Sequence, residues 1–251
     1  MEENESKIKS DPTLLHALPF SAKMKRTTGY KKVSKWGNIT VTLESLETVN
    51  AFDLITLLQL LKIYIQKTGV FRTITKEGSS ETILKGTLKL PDLVKERELI
   101  NDVNNQKVLL DSLMRWKDVS YIVETPKRKT KSSFIYQVQF DKVKNEVSLI
   151  INKAFFDFCI SKNALVIDFK QVLQYKSPRT ILLDLFIQST KWSQYPEDLL
   201  YEKTGLNDTD MKSWDKRDAL RKCFHDIKLH ANLDFTYENG YWTNYTQICD
   251  S

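Results

Sequence analysis

Glycine is scarce in this chain, seven in 251 residues. No GxxxxGK[ST] run occurs, so a phosphate-cradling loop for ATP is not expected. Histidine is scarcer: His16, His225 and His230 are the only three. No His-x-His pair stands beside a candidate tyrosine nucleophile, which argues against metal-dependent strand nicking. Cys223 is the one thiol near His225 and His230, too few ligands for zinc. The cysteines, Cys159, Cys223 and Cys249, form no CxxC pair and are odd in number. A disulfide framework is therefore excluded, and a reducing cytoplasm is expected. No uncharged apolar run approaches the roughly 18 residues of a spanning helix. The opening Met-Glu-Glu-Asn-Glu lacks a basic segment followed by an apolar core, so no secretory signal is expected. The acids Asp208 and Asp210 read as capping groups before a helix. Nothing here supplies an enzyme's machinery, and no metal or cofactor is expected.

What remains is an ordinary globular composition, 41% hydrophobic and 28% charged, with a net charge of +6. The length suits one or two domains, and the positive balance points to polyanions. The charge is clustered. Lys23, Lys25, Arg26, Lys31, Lys32 and Lys35 lie in a stretch without an acid. Lys127, Arg128, Lys129 and Lys131 form a second group, and Lys212, Lys216, Arg217, Arg221 and Lys222 a third, interleaved with Asp215 and Asp218.

Residues 1–35 show little periodicity and read as a flexible basic tail, with structure beginning at Trp36. Ile39, Val41 and Leu43 alternate with threonines, as in a strand. A helix over 51–67 follows, capped by Thr48 or Asn50; its leucines fit core burial better than a zipper. Next come a strand at 83–88, a short helix opened by Pro91 and a second helix at 105–117. That second helix is capped by Asp102 or Asn104 and has Val108, Leu109, Leu113 and Trp116 as its apolar face. Strands at 119–124 and 134–140, joined by a basic loop over 125–131, complete helix, strand, helix, helix, hairpin: a winged helix. Val147–Ile151 and a short helix at 153–160 close this unit.

The order then repeats. Ser177-Pro178 starts a helix, Pro196 with Glu197 and Asp198 a second, and a third runs over 213–231. Glu238-Asn239-Gly240 turns a final hairpin between 233–237 and 241–245. The expected fold is α+β: a tail (1–35), an N-terminal winged-helix domain (36–163) and a C-terminal one (164–251).

A helix-turn-helix lays its last helix in the major groove of DNA. The base-reading candidates are Asn104, Asn105, Gln106 and Lys107 in the first domain, since amides pair bidentately with adenine and lysine reaches guanine. In the second the equivalent stretch is Lys212, Ser213, Trp214, Lys216 and Arg217, followed by Arg221 and Lys222. Arg221 and Lys222 fall away from the Leu220/Phe224/Ile227 face, whereas Lys216 and Arg217 lie nearer the core side. Lys127, Arg128, Lys129 and Lys131 are phosphate candidates on the first wing. Tyr241 and Trp242 of the second wing read as half core, half surface.

Three stretches resemble the iteron-binding plasmid replication initiators, a family of two winged-helix domains: SLIINKAFF (148–156), VIDFKQVLQYKSPR (166–179) and DALRKCFHDI (218–227). The likeness covers roughly 45–245. Where many members carry Arg-Leu-Tyr in the second domain's first helix, this chain has Leu182-Leu183-Asp184, which marks a divergent member. The resemblance implies binding of tandem origin repeats on double-stranded DNA and opening of an adjacent AT-rich segment. It further implies recruitment of the host initiator and helicase, with a homodimer in equilibrium with DNA-bound monomer. A transcription regulator without a replication role is the competing expectation, and a protein-binding module a third.

Overall fold

The computed structural model describes residues 7–10, 12–23, 26–67, 69–75, 82–159 and 165–244. Lys25, Tyr245 and Cys249, on which parts of the sequence reading fell, lie outside them.

Strand β1 (Lys7–Ser10), helix α1 (Pro12–Ala17), β2 (Thr28–Trp36) and β3 (Ile39–Glu47) come first. They overturn the expected tail. Leu14, Leu15, Leu18 and Phe20 are fully or almost fully buried, and β2 pairs antiparallel with β3 over its whole length. Alternation hid in the basic run: Tyr30, Lys32, Ser34 and Trp36 face inward with partners, while Lys31, Val33 and Lys35 alternate with them. Gly37, at φ +56°, makes the tight turn between the two strands. The acids that the run lacks in sequence arrive in space. Arg26 pairs with Asp53, Lys31 with Glu44 and Lys32 with Asp208. Asp208 therefore pairs with a lysine, and the next helix is capped by Lys212 without a side-chain bond.

Helix α2 (Ala51–Gln66) begins at a capping box in which Asn50 and Asp53 exchange hydrogen bonds. Its leucines are buried. Strands β4 (Phe71–Thr75) and β5 (Thr82–Lys89) lead to α3 (Leu90–Glu96) and α4 (Val103–Lys117), the latter capped by Asp102. Leu109, Ser112, Leu113 and Trp116 form the buried face of α4. Val108, expected there, is instead 52% exposed.

The first wing also differs from expectation. Strand β6 (Ser120–Thr125) pairs with β7 (Arg128–Ser133) across the short turn Pro126-Lys127. The basic run is thus an edge strand, not a loop. Strand β8 (Ile135–Asp141) joins β9 (Glu146–Asn152) in the other sheet. The two four-stranded sheets have the orders β2-β3-β6-β7 and β4-β5-β9-β8.

Helix α5 (Lys153–Cys159), β10 (Leu165–Asp168) and α6 (Phe169–Leu173) form the connector, and β10 pairs with β1. Then α7 (Pro178–Thr190), capped by Ser177, precedes β11 (Gln194–Pro196), α8 (Glu197–Lys203) and α9 (Ser213–Ala231). The hairpin β12 (Phe235–Glu238) and β13 (Tyr241–Asn244) follows, in the sheet order β11-β13-β12. Asn239 and Gly240 both have positive φ, 51° and 85°, as a type I′ hairpin turn requires.

Buried apolar side chains form one continuous cluster from Leu14 to Trp242. Trp36 on β2 reaches into the C-terminal half, stacking on Trp192 at 5.4 Å and meeting Phe186 edge-on at 5.8 Å.

Candidate nucleic-acid interface

In each unit the third helix carries a packed side and an open side. On α4 the buried residues leave Val103, Asn104, Lys107, Asp111 and Met114 facing out. The four candidates at its start separate into two kinds. The Asn105 side chain donates to the Ile100 carbonyl at 2.8 Å. Gln106 donates to Asn101 at 2.8 Å and accepts from Asn145 at 2.9 Å. Both amides therefore hold the turn together. Asn104 and Lys107 are exposed and carry no such bond, so they stay open to a ligand.

The same separation holds on α9. Arg217 donates to both oxygens of Glu197, at 2.7 and 3.0 Å, and lies over the Tyr237 ring at 4.4 Å. Burial acts to raise the Glu197 carboxyl's pKa, but the Arg217 hydrogen bonds, with Tyr201 and Tyr237, outweigh it and hold the group low. Lys216 lies over the Tyr201 ring at 5.8 Å. These two cations brace α8 and the wing against α9. The Ser213 carbonyl accepts from the Tyr201 hydroxyl at 3.3 Å. Lys212 and Arg221 are exposed. Lys222 is exposed and pairs with Asp218 one turn back at 2.9 Å, which raises its pKa.

The outward face of α9 holds Trp214, from the stretch singled out in the sequence, and one side chain absent from it, His225. Trp214, in the first turn, is 67% exposed, and His225 is exposed one turn beyond Arg221. At about 100° per residue both fall on the Arg221 side of the helix. That wheel was the available signal for His225.

On the first wing Lys127, Arg128, Lys129 and Lys131 are all exposed. Lys129 is paired across the strand with Glu124 at 2.8 Å, and Lys131 stands 3.7 Å from Glu44. In the second wing Tyr241 is 46% exposed, whereas Trp242 is buried against Phe224, with ring centroids 4.4 Å apart.

Among the described residues no three His, Cys, Asp or Glu side chains gather as metal ligands, and no helix is long and apolar enough to cross a membrane. Cys223 is buried, and burial pushes its thiol up to about 11, where it is unreactive at neutral pH.

These features define a mixed α+β protein of two winged-helix units, each showing the open side of its third helix. No protein-family model matches the sequence, and no curated protein matches it. Among solved structures the chain is similar to a selenomethionine crystal structure of domains 2 and 3 of RctB. That match covers 93% of this chain and 96% of the other, at a TM-score of 0.62 and 11% identity. A second crystal structure of RctB domains 2–3 matches over the same shares, at 0.60 and 12%. The likeness is one of fold, and it extends over the whole domain pair.

Proposed function

We propose that this protein is a sequence-specific double-stranded DNA-binding replication initiator, one that binds origin repeats, promotes opening of the origin and recruits host replication proteins. The observation that carries the reading is the open side of α9. Arg221, Lys222, Trp214 and His225 stand outward on the third helix of a winged-helix unit, where base edges meet a protein. Exposed Lys127 and Arg128 at the other unit's wing tip suit phosphates. The resemblance of 148–156, 166–179 and 218–227 to plasmid initiators supplies the replication role, and the whole-chain likeness to a two-domain fold supports two DNA contacts per chain.

In this reading the domains remain 36–163 and 164–251, with β1, α1 and β2 folded onto both. The protein binds rather than catalyses and needs no nucleotide, metal or cofactor. It works in the bacterial cytoplasm as a DNA-bound monomer in equilibrium with a homodimer, with the host initiator and helicase as partners.

The test is binding to short duplexes tiled across the DNA flanking the gene, at several salt concentrations. Tight binding to a directly repeated site, with a preference of about a thousandfold over scrambled duplex, is the expected result. Binding to a single inverted repeat alone makes the protein a regulator. Uniform weak binding that vanishes by moderate salt defeats the reading.

A further inference from the structure

We propose that α4 reads A·T base pairs, with Val103 and Val108 on thymine methyl groups and Asn104 on adenine. This rests on the DNA-binding reading and specifies what the first domain recognises.

Branched aliphatic side chains, which are usually buried, stand open at the start of α4. Val103 is 80% exposed and Val108 52%, and Ile100, just before α4, is 79% exposed. An exposed cluster of branched aliphatics on an otherwise polar helix surface is the informative departure from the rule that apolar groups go inside. At about 100° per residue, Val103 and Asn104 lie on either side of Lys107, with Val108 next to Asn104.

The surrounding charge selects the occupant. Lys107 is exposed between the two valines. The β8–β9 turn, tied to α4 by the Asn145–Gln106 bond, adds exposed Lys142 and Lys144 beside Val143, itself 96% exposed. The exposed acids nearby, Asp102 and Asp141, are turned onto backbone amides of Asn105, Val143 and Lys144, so apolar side chains beside three lysines suit a ligand with methyl groups set inside a phosphate frame. The major groove of A·T-containing DNA is that surface, because only thymine carries a C5 methyl. The amide of Asn104 can pair with adenine N6 and N7. Arginine, the usual partner of guanine, does not stand on the open side of α4, since Arg115 is held by Asp53 at 2.8 Å. Asp111, one turn beyond Lys107 and exposed, repels phosphate and confines the contact to the helix's first two turns.

The experiment selects the protein's preferred duplex from a random pool, then replaces each thymine singly by deoxyuracil, which lacks the methyl. Removing a contacted methyl should weaken binding about fourfold, the equivalent of ~0.8 kcal/mol per buried carbon. Val103→Ala should lose a similar factor on the thymine duplex and almost nothing on the matching deoxyuracil duplex. Asn104→Ala should lose about tenfold at an adjacent adenine. Thermal unfolding of each variant checks that the fold is kept, as side chains this exposed allow. If Val103→Ala and Val108→Ala bind thymine and deoxyuracil duplexes alike, the proposal fails and the apolar turn belongs to a protein contact. If the half-site protected by the first domain lacks A·T pairs, it also fails. In both cases DNA binding itself stands. If no sequence is selected at all, the proposal and the reading beneath it fall together.

Discussion

Arg217 reaches across from α9 to Glu197 at the start of α8 and holds its carboxylate with two hydrogen bonds, 2.7 and 3.0 Å long. The Tyr237 hydroxyl donates to the same carboxylate at 3.2 Å, and its ring lies under the guanidinium. Three elements of the C-terminal unit thus meet at one arginine, which faces protein while Arg221 faces solvent.

That difference predicts opposite phenotypes. Arg217→Ala should lower Tm and weaken binding to specific and scrambled duplexes by the same factor, because the helix loses its seat. Arg221→Ala should leave Tm unchanged and cost the specific duplex about tenfold relative to scrambled DNA, within the usual range for a lost base contact. Paired Tm and affinity measurements decide. A selective loss at Arg217 with unchanged Tm would return that residue to the DNA face.

The wing predicts a salt effect. Each phosphate-neutralising cation contributes about 0.9 to the slope of log K against log salt. Lys127→Ala and Arg128→Ala should each flatten the slope by about one, equally on all sequences. Lys129 is already engaged by Glu124 at 2.8 Å, so Lys129→Ala should flatten it less. An unchanged slope in the first two variants would remove the wing from the interface.

Asp184 predicts a pH effect. It is fully buried in α7 and accepts from the amides of Gln171 and Gln188, at 2.7 and 2.6 Å, with no cation beside it among the described residues. Burial raises its pKa from 3.8 to about 7; the two amides oppose the rise, and the Asp168 charge adds to it. Tyr175 and Asp226 also face this corner from the elements around α7, with Cys223 bonded to Thr180 and His230 against the Tyr175 ring. A carboxyl whose pKa is higher folded than unfolded stabilises the protein most below its unfolded value. That stabilisation is lost as pH rises from about 4 to about 7. At about 1.36 kcal/mol per unit the loss is on the order of 4 kcal/mol. Asp184→Asn should therefore gain stability relative to the native chain at pH 8 and gain little at pH 4. Urea unfolding at both values is the measurement, and equal differences at the two would exclude this role.

Much of the helical plan was legible because capping and periodicity are local signals. Ser177-Pro178, Asn239-Gly240 and the span of α9 stand where the residues place them. The N-terminal segment was not legible. Its lysines alternate with inward-facing groups whose partners, Asp208, Glu202 and the Trp192 ring, lie more than a hundred residues away. The first wing was misdrawn because a strand of Arg, Lys, Thr and Ser has no hydrophobic alternation to reveal it. At the candidate interface residue type identified cations, but only packing separates Arg221, which is open, from Arg217, which is not.

Lys203 carries the last prediction. It comes from α8, yet its ammonium is fully buried against the N-terminal segment. It donates to the Lys35 carbonyl at 3.1 Å, Ser34 Oγ at 3.3 Å and Glu202 at 2.9 Å. The Trp36 and Phe186 rings lie 5.9 Å away on either unit. Burial lowers its pKa, opposed by Glu202, a partner open enough to water that the ion pair is worth less than a fully buried one. Removing the side chain leaves a cavity and the Lys35 carbonyl without this donor, so Lys203→Ala should cost about 3 kcal/mol. Lys203→Met keeps the stem between the rings and loses only the donors, so it should cost about 1 kcal/mol. Urea midpoints at constant m-value measure both. Trypsin cleavage after exposed Lys23 should quicken in Lys203→Ala in the folded state, because α1 and β2 lose their clasp on α8. An unchanged cleavage rate with a lowered midpoint would mean that Lys203 stabilises its own unit and does not join the two.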